Sequence, residues 1–63
     1  MDIGTHVKVL NHDAIEEEYR GATGVVESLE PTHSMNNIVK FDHPEQIGYA
    51  KMPFEDTDLE IIE

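Results

Sequence analysis

Apolar and polar residues alternate from Thr5 to Leu10, with Val7 and Val9 on one face and His6 and Lys8 on the other. That two-residue period predicts a half-buried strand. Ile3 either extends the strand or covers one end of the core. The pattern then lapses. From Asn11 to Arg20 the only sizeable apolar residues are Ile15 and Tyr19, four positions apart. One helical turn brings such a pair together, although Glu16, Glu17 and Glu18 would repel one another within it. The segment reads as a long loop, with a turn of helix at most, held down at two anchors.

Alternation resumes after Gly21-Ala22-Thr23-Gly24. Glycine suits a positive φ or a close approach of two backbones, and two of them three apart mark a constrained entry into a strand. The run Val25-Val26-Glu27-Ser28-Leu29 cannot place both Val26 and Leu29 inward by strict alternation, because three is an odd step. A bulge near Glu27-Ser28 resolves the conflict. Pro31 to Asn37 has loop chemistry, and Asn36-Asn37 suits a hairpin connection. Ile38-Val39-Lys40-Phe41 is the clearest strand, with Val39 and Phe41 facing the core.

Asp42-His43-Pro44-Glu45-Gln46 reads as a turn, since Pro44 lacks the N–H a ladder requires. Ile47 to Met52 follows as a strand with Tyr49 and Lys51 on one face, ended by Pro53. Phe54-Glu55-Asp56-Thr57-Asp58 suits a short helical turn, and Leu59-Glu60-Ile61-Ile62 a final strand with Leu59 and Ile61 inward. The expectation is an all-β fold: five short strands closing into a small barrel, with a long first loop and a helical turn before the last strand. Closure would remove the open edges that a lone sheet exposes.

The segment Gly21-x-x-Gly24-x-Val26, backed by Ile38-Val39-Lys40-Phe41, resembles the SH3-like small barrels, in particular the KOW type. The layout is also similar to the small barrel protein of photosystem I and to the ferredoxin–thioredoxin reductase variable chain. Those families share an opening valine strand, a long loop, a glycine-led second strand and a V-x-F-like third. An acidic turn then leads into a short apolar strand, here Asp56-Thr57-Asp58-Leu59-Glu60-Ile61-Ile62. The resemblance implies an SH3-like barrel spanning residues 1–63 as one domain. It also implies binding to RNA or to proteins of transcription and translation, or docking onto a larger redox complex.

Charge changes that picture. Fourteen acids against four bases give a formal charge of −10 over 63 residues. Nucleic-acid affinity comes mainly from lysine and arginine on phosphates, so the balance argues against nucleic acid. It argues equally against anionic lipid surfaces, and it favours steering toward a basic protein partner. No apolar run approaches the roughly 20 residues of a membrane span, and Met1-Asp2-Ile3-Gly4 does not read as a signal peptide. The expectation is a cytoplasmic protein, monomeric or weakly self-associating. With no cysteine, neither disulfides nor thiolates brace the core.

Candidate chemistry is sparse. His6, His12, His33 and His43, with Asp13 or Asp42, lack the spacing of recognised zinc motifs. The acids Asp13 and Glu16 to Glu18 lack the alternating ligands and central glycine of a calcium loop. Ser34 beside His33 does not make a triad, and the glycines lead into a strand rather than a phosphate-binding helix. No cofactor or metal is expected, and no catalysis. What remains is a non-catalytic protein-binding module that engages a basic or mixed surface of a larger assembly. Its contacts would come from Glu16, Glu17, Glu18 and Tyr19 in the long loop and from Glu55, Asp56 and Asp58 in the acidic turn. Tyr19 has an alternative role, packed over the core with only its hydroxyl wet. Other functions compatible with the chain are an acidic nucleic-acid mimic, an RNA contact through Lys8, Arg20, Lys40 and Lys51, and an accessory component of an enzyme complex.

Overall fold

The computed structural model of the protein describes residues 1–31 and 34–62. Five strands form one antiparallel sheet: β1 (His6–Val9), β2 (Thr23–Leu29), β3 (Asn37–Phe41), β4 (Lys51–Phe54) and β5 (Leu59–Ile61). Their order is β4-β3-β2-β1-β5. Strands β1 to β4 meander, and β5 then returns beside β1, where Val9 faces Leu59 and Val7 faces Ile61. A radius of gyration of 10.4 Å is close to the roughly 11 Å expected of a compact chain this long.

The sheet curls around a core of Val7, Val9, Val26, Val39, Phe41, Phe54 and Leu59, joined by Ile15 and Tyr19 from the long β1–β2 loop. The buried valines are separated by outward-facing positions along their strands, as the pattern requires. Tyr19 is the aromatic hub. Its ring stacks on Phe41 at a centroid distance of 6.1 Å and meets Phe54 edge-on at 6.3 Å and Tyr49 edge-on at 5.8 Å.

The two glycines serve different purposes. Gly21 has φ +79°, the left-handed conformation that turns the chain out of the long loop into β2. Gly24 lies within β2 against β3. A Cβ there would overlap the Lys40 carbonyl oxygen and come within 2.7 Å of Val39 Cγ1. The bulge lies where the odd step demands it: the β2–β3 register shifts between Val26 and Ser28. It returns Leu29 to the side of buried Asn37, its cross-strand partner, although at the sheet's end Leu29 stays 42% exposed.

Several expectations change. The sheet does not close. β4 and β5 are its two edges, and no ladder joins them among the described residues. Pro53 does not end β4 but sits inside it, opposite Ile38. An edge strand tolerates a residue that offers no donor, and that residue offers none to a further strand. Pro44 to Ile47 forms one turn of helix, α1, rather than a simple turn plus the start of a strand. Proline at its start and Gly48 at φ +94° after its end match the usual helix asymmetry. Tyr49 therefore lies outside β4. Ile61 faces the same side as Val7 but stays 60% exposed, because nothing packs beyond an edge strand.

Candidate functional site

The long loop is held by short-range bonds at the places its two anchors predict. Ile15 N–H donates to the His12 carbonyl (2.9 Å) and Tyr19 N–H to the Glu16 carbonyl (3.0 Å), and a 3-10 turn spans Glu17–Tyr19. The Arg20 side chain donates from Nε to the Ile15 carbonyl (2.9 Å) and ties the end of the loop to its middle. Burying Ile15 and Tyr19 orients the rest outward: Glu16, Glu17 and Glu18 are all exposed, whereas Tyr19 is 7% exposed. Burial, followed by the charge of and hydrogen bond to Tyr49, raises the Tyr19 hydroxyl above the usual tyrosine value.

In the second acidic segment the carboxylates are structural. Residues 55–58 form a capping box around the 3-10 turn Asp56–Asp58. Glu55 N–H donates to Asp58 Oδ2 (3.2 Å), and Asp58 is 8% exposed. Asp56 accepts from Asn37 Nδ2 (2.6 Å) and from the Met1 ammonium (3.2 Å). Asn37 is fully buried and also donates to the Phe54 carbonyl (3.2 Å). The Asn-Asn pair suggests a turn by its chemistry. Only the β3–β4 register, which sets Asn37 opposite Phe54, reveals a buried polar clasp between β3, β4 and the acidic turn.

Folding brings the two segments to one place. Glu16 from the long loop and Asp58 from the turn line a shallow groove of about 180 Å³. Ile15 and Tyr19 of the loop, Met52, Pro53 and Phe54 of β4 and Met35 of the β2–β3 connection line it as well. Glu17, Glu18, Glu55 and Asp56 do not line it. A ligand pocket for a small molecule usually needs about 300–1,000 Å³ and encloses its guest; this groove is smaller. A wider furrow of about 600 Å³ runs between Lys8, Arg20, Glu17 and Glu60, where opposite charges alternate and neither sign prevails.

The outer face of the sheet holds the remaining polar groups. His6 Nε2 lies 2.8 Å from Asp42 Oδ2, which also accepts from Thr23 Oγ1 at 2.8 Å. These bonds, His6 first and then Thr23, lower the Asp42 carboxyl below the ordinary aspartate value. Asp56 is lowered too, first by Asn37 and then by the Met1 ammonium. A depressed carboxyl contributes stability that is present above its unfolded pKa and is lost as pH falls through the folded one. The urea midpoint is therefore expected to fall on acidification below about pH 4. Asp42→Asn should lower the midpoint at neutral pH and flatten that fall. Parallel acid profiles for the two proteins would contradict the assignment.

Of the four bases, Lys40 and Lys51 are cross-strand partners on the outer face of the sheet. Lys51 pairs with Glu27 (3.1 Å), Arg20 is bound to the loop carbonyl, and Lys8 and Lys40 stand exposed on β1 and β3. No group of three metal-binding side chains assembles among the described residues; His33 lies outside them. No helix among the described residues is long and apolar enough to cross a membrane. Comparison with protein-family models, curated proteins and solved structures found no match.

Proposed function

We propose that the chain is a non-catalytic protein-binding module that engages a basic or mixed surface of a larger assembly. The observation that carries this reading is the meeting of the long loop and the acidic turn at one apolar groove, with Glu16 and Asp58 on its lining. Glu17 and Glu18 stand exposed on the same loop. A net charge of −10 extends the attraction beyond the groove and speeds encounter with a cationic surface.

In this reading the five-stranded sheet is an SH3-like barrel. Its support is the return of β5 beside β1, the long β1–β2 loop, the bulge in β2 and the 3-10 turn leading into β5. Asp58 lines the groove, Asp56 holds the turn through Asn37 and the Met1 ammonium, and the exposed loop carboxylates make the contact. Tyr19 acts from beneath, holding the loop in place.

The test is affinity capture from the native host at low ionic strength and at about 0.5 M salt, where exposed charges are largely screened, with recovered proteins identified by mass spectrometry. The bait is compared with the triple variant Glu16→Lys, Glu17→Lys, Glu18→Lys, whose side chains are exposed. The expected result is a basic partner recovered at low salt, lost at high salt and lost with the charge-reversed bait. Silence at low salt, or equal recovery by both baits, would remove the proposal.

A further inference from the structure

The groove continues past Met35 and Pro53. Both residues also line a second apolar hollow of about 380 Å³, completed by Ile38 and Glu30. The two hollows have Met35 and Pro53 in common and so lie side by side at the β4 edge; together they make a two-part channel. Among the described residues no lysine, arginine or histidine lines either part. Among the described residues its lining is largely apolar, and the charged groups on it are the carboxylates of Glu16, Asp58 and Glu30.

What lines it also limits what fits. Grooves that read proline-rich helices present exposed aromatic rings. Two rings line the channel here, Tyr19 and Phe54, but they are only 7% and 4% exposed, and there is no tryptophan. Tyr49, the one exposed aromatic, does not line the channel. The exposed surface is instead supplied by Met35, which is 48% exposed, with Met52 and Pro53 beside it. Methionine is flexible and polarizable and adapts to aliphatic side chains of varied shape.

We infer that the channel is a docking site for an extended basic segment whose contact residues are aliphatic rather than proline. Its aliphatic side chains would lie on Met35, Met52 and Ile38, and a lysine or arginine would meet Glu16 at the loop end. This inference rests on the protein-binding reading above and names the class of segment that reading leaves open. Charge complementarity selects the sign of the occupant, and the lack of exposed rings selects against proline.

Fluorescence anisotropy with three short labelled peptides tests it: alternating leucine and arginine, alternating proline and arginine, and alternating leucine and serine. The leucine–arginine peptide is expected to bind about tenfold more tightly than either other peptide, a difference near 1.4 kcal/mol. Met35→Ser, which alters an exposed side chain and no charge, should erase its advantage over the proline–arginine peptide. Glu16→Gln should weaken it about fivefold, the value of an exposed charge pair. Glu60→Gln, the same change away from the channel, should shift it less than about twofold. Equal affinity for the proline–arginine peptide, or an advantage that survives Met35→Ser, would overturn the inference while the Glu16 effect upholds the broader reading. Equal effects of Glu16→Gln and Glu60→Gln would place the binding outside the channel and overturn both. Unchanged urea midpoints for the variants show that binding, not folding, is being read.

Discussion

Gly24→Ala is expected to abolish cooperative folding. The added methyl would overlap the Lys40 carbonyl oxygen and lie 2.7 Å from Val39 Cγ1. The first of these is backbone, held in the β2–β3 ladder by the pairs Gly24 with Phe41 and Val25 with Lys40, so no rotamer change relieves it. The strands must separate or slip, and a one-residue slip turns every inward side chain of β2 outward. Overpacking a core costs about 1–3 kcal/mol where side chains can give way, and here backbone must give way. A single core in a chain this small seldom supplies more than about 3–5 kcal/mol, so the loss is comparable with the whole. Far-UV circular dichroism against urea should show no cooperative transition, or a midpoint near zero denaturant. Gly21→Ala is the control. Nothing lies within 4 Å of its added Cβ, and the cost is the left-handed conformation alone, about 1–2 kcal/mol. A Gly24→Ala protein with an unchanged midpoint would show that β2 and β3 do not approach as described.

Tyr19→Ala is expected to be nearly as damaging. The ring touches Phe41, Phe54 and Tyr49 and is 7% exposed. Truncating a buried aromatic costs about 3–5 kcal/mol, again comparable with the total. The loss also frees the long loop from one of its two anchors, leaving Ile15 and the Arg20 bond to hold Glu16 in place. Tyr19→Phe keeps the ring and removes only the hydroxyl, and a hydroxyl's hydrogen bonding is worth far less than a buried ring. Thermal unfolding should therefore rank wild type, Tyr19→Phe and Tyr19→Ala in that order, with the large gap before the last. The pair also separates two roles. If Tyr19 were chiefly a partner contact, Tyr19→Ala would fold normally and lose binding.

The strands around Val7, Val26 and Val39 are visible in a two-residue period, and the bulge follows from the odd step between Val26 and Leu29. Ile15 and Tyr19 stand out as anchors because they are the only sizeable apolar residues in a polar stretch. Each of these rests on local information: spacing, or the chemistry of a few neighbours. The acidic turn is legible as a turn, and an aspartate there reads either as a surface charge or as a cap of the turn. Asp58 is such a cap, whereas the bond between Asp56 and Asn37 is not legible in sequence.

The sequence by itself determined an all-β chain of five strands, the sign and size of its charge, and the need for glycine at positions 21 and 24. Periodicity and residue chemistry suffice for these, because each depends on a handful of adjacent residues. Tertiary structure alone decided that Asn37 is core, that Pro53 lies within an edge strand, that Ile61 is left uncovered, and that Glu16 and Asp58 share one groove. These are outcomes of which strands become neighbours and in what register. Asn37 and Asp56 are 19 positions apart and the Glu27–Lys51 pair 24. Whether a side chain is buried, paired or exposed depends on a partner at such distances, and no local pattern carries that information.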